Sequence, residues 1–203
     1  MASPQIGNGG RPASYTEPHR FPPGARCITC GEIYDEENVD QIDLCPRHRG
    51  NGEEQRLASV SLELRGRLLF KCMAVRERLG WPHVDSYKDV PLRSSAEAQW
   101  WRWTTAFHYM CEFSHEALEA PLQNENLKVH EVRKLRFLTK AEHGPMVQCA
   151  FLIMAQPGIY VFDPTGVQFG PDWPVLSRVE TYRAERMDSK YVHLAKVRRL
   201  ESE

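Results

Sequence analysis

No run of about 18 apolar residues occurs anywhere in the 203-residue chain, so the sequence offers no membrane-spanning helix. The opening MASPQIGNGGRPASYTEP has no apolar segment of the kind a secretory leader needs, which predicts an intracellular protein, cytoplasmic or nuclear. Excess charge of either sign is also missing. With 26 Lys+Arg against 27 Asp+Glu, the formal charge is −1, and no basic field recruits nucleic acid or an anionic membrane. A partner, whether protein or small molecule, must therefore be recognised at a local site. Cysteines number six: Cys27, Cys30, Cys45, Cys72, Cys111 and Cys149. Three of them stand with a histidine at metal spacing, which argues for thiols kept reduced rather than for a disulfide framework. Hydrophobic residues make up 41%, enough for the core of one domain with an appendage.

Residues 1–24 are rich in Pro, Gly and Ser and lack periodicity, so they are predicted to be disordered or loosely draped. Residues 25–50 follow as a compact unit. Cys27-x2-Cys30 and Cys45-x2-His48 are two short-spaced ligand pairs separated by 14 residues, and each such pair presents two ligands from one turn. Four soft or borderline ligands suit a tetrahedral zinc. The array implies a closed structural site, because about 25 residues cannot bury a core of their own.

Residues 53–200 are read as one α+β domain. From Glu53 to Leu79, apolar side chains (Leu57, Val60, Leu64, Leu68, Cys72, Val75) recur at three- and four-residue steps, predicting a helix with Gly66 as its weak point. A second helix is predicted over residues 94–120, with Trp100, Trp103, Phe107, Met110, Cys111 and Leu118 on its apolar face. Cys111 has His108 and His115 as neighbours one turn away on that helix, a conceivable Cys/His pair. Val129 to Leu138 and Tyr191 to Val197 read as strands, with a short helix within residues 175–187.

The densest signal is VQCAFLIMAQPGIYVFDPTGVQFG, residues 147–170. Nearly every side chain from Met146 to Met154 is apolar, which suits a strand covered on both faces. Gln156-Pro157-Gly158 then predicts a three-residue hairpin loop, with Gly158 supplying a positive φ. That loop pairs Ala155 with Ile159, places Asp163 opposite Phe151, and puts Cys149 on the same face as Asp163. Pro164 closes the second strand and leaves the carboxylate at the sheet's edge.

This unit resembles the His-strand, hairpin, Asp-strand element of papain-like and transglutaminase-like cysteine enzymes, including papain-fold toxin and deamidase domains. The resemblance is close over about 20 residues; elsewhere only the order of elements, helices before sheet, is similar. Together with the small zinc knuckle read from the ligand spacing, the fold is then α+β, two main helices followed by a mostly antiparallel sheet, and the resemblance implies a thiol nucleophile at a helix N-terminus with Asp163 orienting a base. Cys72, in FKCMAVRERLG, is the nucleophile the resemblance suggests, provided the first helix breaks near Gly66; if it does not, Cys72 is part of the apolar stripe. At the family's histidine position this chain has Cys149. His143 has the right parity but lies six residues before Cys149, roughly 20 Å away along a strand. His130 is a further possible base.

Two functions follow. In one, the fold is kept without chemistry, and the zinc knuckle and former cleft bind a protein or small molecule. In the other, Cys72 attacks an amide or ester carbonyl with Asp163 orienting a histidine such as His143. A thiol at position 149 is a poor proton shuttle at neutral pH, because its pKa near ~8.5 makes it a weak acceptor. The non-catalytic reading is therefore preferred.

Overall fold

The computed structural model describes residues 25–27, 33–35, 42–43, 45–49, 52–81, 95–124, 129–140, 144–156, 158–170 and 172–196. The sequence expectations for residues 1–24, for Cys30 and for His143 fall outside them. The described elements form an α+β chain. Strands β1 (Ala25–Cys27), β2 (Ile33–Asp35) and β3 (Ile42–Asp43) make a small sheet in the order β2-β1-β3, with β1 and β3 parallel. Helices α1 (Glu53–Arg78), α2 (Ser95–Phe107) and α3 (Cys111–Asn124) follow. Strands β4 (Val129–Thr139), β5 (Val147–Ala155), β6 (Gly158–Phe162), β7 (Leu176–Arg178) and β8 (Met187–Lys196) form an antiparallel sheet in the order β7-β6-β5-β4-β8, with α4 (Val179–Arg186) between the last two in sequence.

Helix α1 runs unbroken through Gly66 for 26 residues, about 39 Å at 1.5 Å per residue. Leu57, Ala58, Ser61, Leu64, Arg65, Leu68, Cys72 and Arg76 are its buried stripe, the three- and four-residue spacing that aligns one helix face. The Arg65 guanidinium lies in this core at 4.1 Å from the centre of the Trp103 ring, and burial pushes its pKa down to about 9.

The second predicted helix is two helices. Residues 108–110 separate α2 from α3, and Tyr109 adopts φ 61°, a left-handed conformation that an aromatic residue rarely takes. The break lets α3 turn across the sheet. Ion pairs Lys134–Glu119 (2.7 Å) and Arg136–Glu112 (3.0 Å) tie α3 to β4.

Strand alternation sorts the core into two layers. Phe151 and Ile153 of β5 and Tyr160 and Phe162 of β6 face α1, α2 and α3, joining Leu64, Leu68, Cys72, Trp100 and Phe107. Ala150, Leu152 and Val161 point to the other face, against Trp173, Tyr182 and Met187. Nearly every residue of β5 is covered, as its continuous apolar run requires.

The β5–β6 hairpin is one residue tighter than the sequence reading. Ala155 pairs with Gly158 and Phe151 with Phe162, so only two positions of sequence separate the paired ends and Gly158 is an ordinary strand position. Gln-Pro-Gly is compatible with either loop length, but a one-residue slip sends every side chain beyond it to the opposite face.

Candidate functional site

Asp163 follows β6 directly, its backbone N–H donating to the Val175 carbonyl at 2.8 Å. In the observed register it belongs with Val161 on the α4 face, and its environment shows this. Oδ1 accepts from Gln148 Nε2 (2.7 Å) and from the Thr165 backbone N–H (3.3 Å). Oδ2 accepts from Trp173 Nε1 (2.9 Å) and from the Tyr182 hydroxyl (2.5 Å). Gln148 Nε2 also donates to Thr165 Oγ1 at 2.9 Å. The carboxyl is 1% exposed; burial raises its pKa, and the bonds from Tyr182, Gln148, Trp173 and Thr165 pull it back.

The loop beyond Asp163 is held from the helix side. Trp100 Nε1 and Thr104 Oγ1 of α2 donate to the Val167 carbonyl at 3.1 and 3.3 Å, within a 3-10 turn over Gly166–Phe169. A side chain at Gly166 would put its Cβ 2.0 Å from Trp173 Cδ1 and 2.4 Å from Asp163 Oδ2, so this position requires glycine for close approach rather than for its φ.

The expectation that Cys149 and Asp163 share a face is therefore incorrect: Gln148 is the β5 residue that meets the carboxylate. Cys149 faces α3 and is 2% exposed. Cys72 is not at a helix N-terminus. It lies in the interior of α1, fully covered, with its thiol pushed up to about 12 by burial despite Arg76. A neutral buried thiol of this kind is inert. His130 stands near the far end of β4, five positions from Leu135, the partner of Ala150, or roughly 17 Å along the strand. His115 gives its Nε2–H to the Ala150 carbonyl at 2.6 Å and meets the Phe151 ring edge-on, and burial lowers its pKa. It packs α3 onto β5.

The cysteine that does begin a helix is Cys111. Its S–H donates to the Val147 carbonyl at 3.9 Å, and Cys149, two residues along the same face of β5, is its strongest electrostatic neighbour. That neighbour lowers the Cys111 pKa against burial and the charges of Asp163 and Glu112. The Cys149 thiol is raised by Cys111 and by burial.

In the N-terminal unit, the ligand atoms of Cys27, Cys45 and His48 lie within 4.8 Å of one another, all three residues buried. His48 Nδ1 is 3.6 Å from Cys27 Sγ and 3.2 Å from Cys45 Sγ. A tetrahedral ion with its usual Zn–S and Zn–N lengths sets such ligands ~3.6 Å apart, so the three atoms fit a metal. The Cys45–Arg49 turn forms by backbone bonds from His48 and Arg49 to the Cys45 carbonyl, which explains why the CxxH spacing brings its two ligands together.

His48 and its neighbour Arg47 also line a cavity of about 310 Å³ whose other walls are Glu54, Tyr160, Leu176 and Arg178, with α4 residues beyond. Arg178 pairs with Glu54 at 3.2 Å and covers the Tyr160 ring at 5.3 Å. Tyr160 is 1% exposed, yet among the described residues its hydroxyl has no hydrogen-bond partner. Sequence reading missed Gln148, Tyr160 and Tyr182. A single amide within the apolar run VQCAFLIM was the one available sign for Gln148, since a buried amide needs partners.

No helix among the described residues is long and apolar enough to cross a membrane. Comparison with known proteins finds no family model, no curated protein and no solved structure that matches this chain.

Proposed function

We propose that this chain is a zinc-stabilised binding module, built on a papain/transglutaminase-like plan whose acyl-transfer chemistry is not used. What supports the plan is α3: a helix beginning at Cys111 lies across the strand that carries Cys149, the position where the resemblance expects a histidine. What argues against acyl transfer is that each part of a relay is committed elsewhere. Cys72 is core, position 149 is a thiol, and the Asp163 oxygens are filled by Gln148, Trp173, Tyr182 and Thr165.

The observation that carries the binding reading is the Tyr160 hydroxyl, which has no partner among the described residues, in the wall of the cavity between the Cys45–Arg49 turn and β6–β7. A buried hydroxyl without a partner costs about 1–3 kcal/mol, which a ligand acceptor would offset. Arg47 adds a cation to the same wall, whereas Arg178 and Arg186 are engaged with Glu54 and Asp172. The chemistry that matches is a small carboxylate- or phosphate-bearing molecule, with zinc holding His48 and the turn in place from behind.

Thermal unfolding of the zinc-loaded chain with sodium glutamate, and separately with inorganic phosphate, tests this. One of them should stabilise the protein, by ~2.7 kcal/mol at a hundredfold excess over Kd, and Tyr160→Phe and Arg47→Ala should each remove most of the effect. Stabilisation that survives both substitutions places binding elsewhere. Release of ammonia or cleavage of peptides by the wild type, lost in Cys111→Ala, would overturn the non-catalytic reading.

A further inference from the structure

Two cysteines the proposed function leaves idle meet on the helix-covered face of the sheet. Cys111 opens the 14-residue helix α3, and Cys149 lies on β5 two residues beyond Val147, whose carbonyl the Cys111 sulfur approaches. Two contacts and one backbone conformation fix that approach. The Arg136 guanidinium, on the residue paired with Cys149 across β4–β5, holds Glu112 at 3.0 Å. His115 holds the Ala150 carbonyl at 2.6 Å. The left-handed Tyr109 sets the direction in which α3 leaves the turn, and a strained residue of this kind persists only where surrounding structure enforces it.

The pair is also asymmetric. Cys111 is partly exposed and Cys149 is buried. Unpaired amides and the dipole of a helix's first turn favour a thiolate at Cys111, the first residue of α3. Glu112 and Asp163 oppose the charge, and Arg136 faces Cys149. One sulfur is thus open to a reagent from solution, while its neighbour is reached only from Cys111's side.

We propose that Cys111 and Cys149 form a redox-active dithiol that reacts with low-molecular-weight disulfides, Cys111 as the attacking sulfur and Cys149 as the resolving one. The Cys111 thiolate attacks one sulfur of a disulfide RSSR; the S–S bond breaks and RS⁻ leaves, to be protonated as RSH. Cys149 then gives up its proton and attacks the Cys111 sulfur of the mixed disulfide, and the second RS⁻ departs with that proton. The protein loses two hydrogens and gains one intrachain disulfide; RSSR is reduced to two RSH. Exchange of this type runs through the thiolate and needs access to it, which Cys111 has and Cys72 lacks.

The test uses the full metal-loaded chain and oxidised glutathione, followed by peptide mapping under non-reducing conditions. A Cys111–Cys149 cross-linked peptide should appear, reversed by reduced glutathione, while Cys72 stays unmodified. In Cys149→Ala the resolving sulfur is gone, and a stable glutathione adduct should collect on Cys111; in Cys111→Ala, Cys149 should remain free. Alkylation of wild-type Cys111 near neutral pH should outpace that of Cys72 by at least about tenfold, the change in thiolate fraction expected for one pKa unit. These rates need no variant to fold. Absence of the cross-linked peptide, or adducts on Cys111 no more frequent than on Cys72, would overturn the assignment.

Discussion

Replacing Gln148 with leucine removes one amide from the carboxylate cluster while nearly keeping its volume. Its Nε2 donates to Asp163 Oδ1 at 2.7 Å and to Thr165 Oγ1 at 2.9 Å. In Gln148→Leu, Oδ1 keeps only the Thr165 backbone N–H at 3.3 Å, and the Thr165 hydroxyl loses its donor in a site closed to water. A bond to a charged group contributes about 1.5–3 kcal/mol and a neutral one about 0.5–1.5, so Gln148→Leu should cost roughly 2–4 kcal/mol at neutral pH. The loss should also depend on pH. Burial already raises the Asp163 pKa, and the Gln148 bond is among the interactions that restrain the rise, so the variant's pKa lies higher still. For a carboxyl raised on folding, the associated stability is complete below the unfolded pKa of about 3.9 and is lost as pH climbs through the folded value. The variant loses more over that climb, and the gap to wild type widens as pH rises above the unfolded value. Urea unfolding of both proteins over a series of pH values, with m compared, measures the gap. A difference under about 1 kcal/mol, or one that stays constant or narrows as pH rises, would refute the account of Asp163 as a buried carboxyl held by Gln148.

Metal analysis should find about one zinc per chain; Cys27→Ser with Cys45→Ser should abolish it and unfold residues 25–49 while amide protection in β4 and β5 persists, and full metal content in that double variant would remove the site. Cys72→Ala should cost on the order of 1–2 kcal/mol by chemical denaturation, since it leaves a small cavity in the core; a stability equal to wild type would place Cys72 outside the packed stripe. Cys149→His should cost about 1–3 kcal/mol, because the larger ring must enter the packed space between β5 and α3. Its imidazole should titrate below the ordinary histidine range by burial; an NMR titration showing a raised pKa from Asp163 would restore the same-face pairing and reject the observed register.

What was legible in the sequence was whatever had a period. The stripe from Leu57 to Cys72 gave α1, the apolar run from Val147 gave β5, and alternation near the C-terminus gave β8. The break at residues 108–110 carries neither glycine nor proline, and its left-handed residue is a tyrosine, so nothing local marks the start of α3 at Cys111. Strand β7 has three residues and no alternation long enough to count. The site was legible in part for the same reason. Cys45-x2-His48 closes within one turn and survives any tertiary arrangement, whereas the Asp163 partners come from β5, α4 and the Trp173 segment and depend on a register that sequence leaves open.

That register decides which chemistry the sheet can support. Along β5, odd positions face α3 and its Cys111 sulfur, while even positions face Trp173, Tyr182 and the Asp163 carboxyl. A relay of thiol, imidazole and carboxylate needs one imidazole that touches both other members. At position 149 it would reach the thiol with its back to the carboxylate; at position 148 it would reach the carboxylate on the face away from the thiol. No single substitution on this strand serves both, because the pleat alternates with every residue. The two faces have accordingly become separate polar sites: a saturated carboxylate that fixes the loop around Gly166, and a pair of thiols whose own reaction requires neither the histidine nor the aspartate.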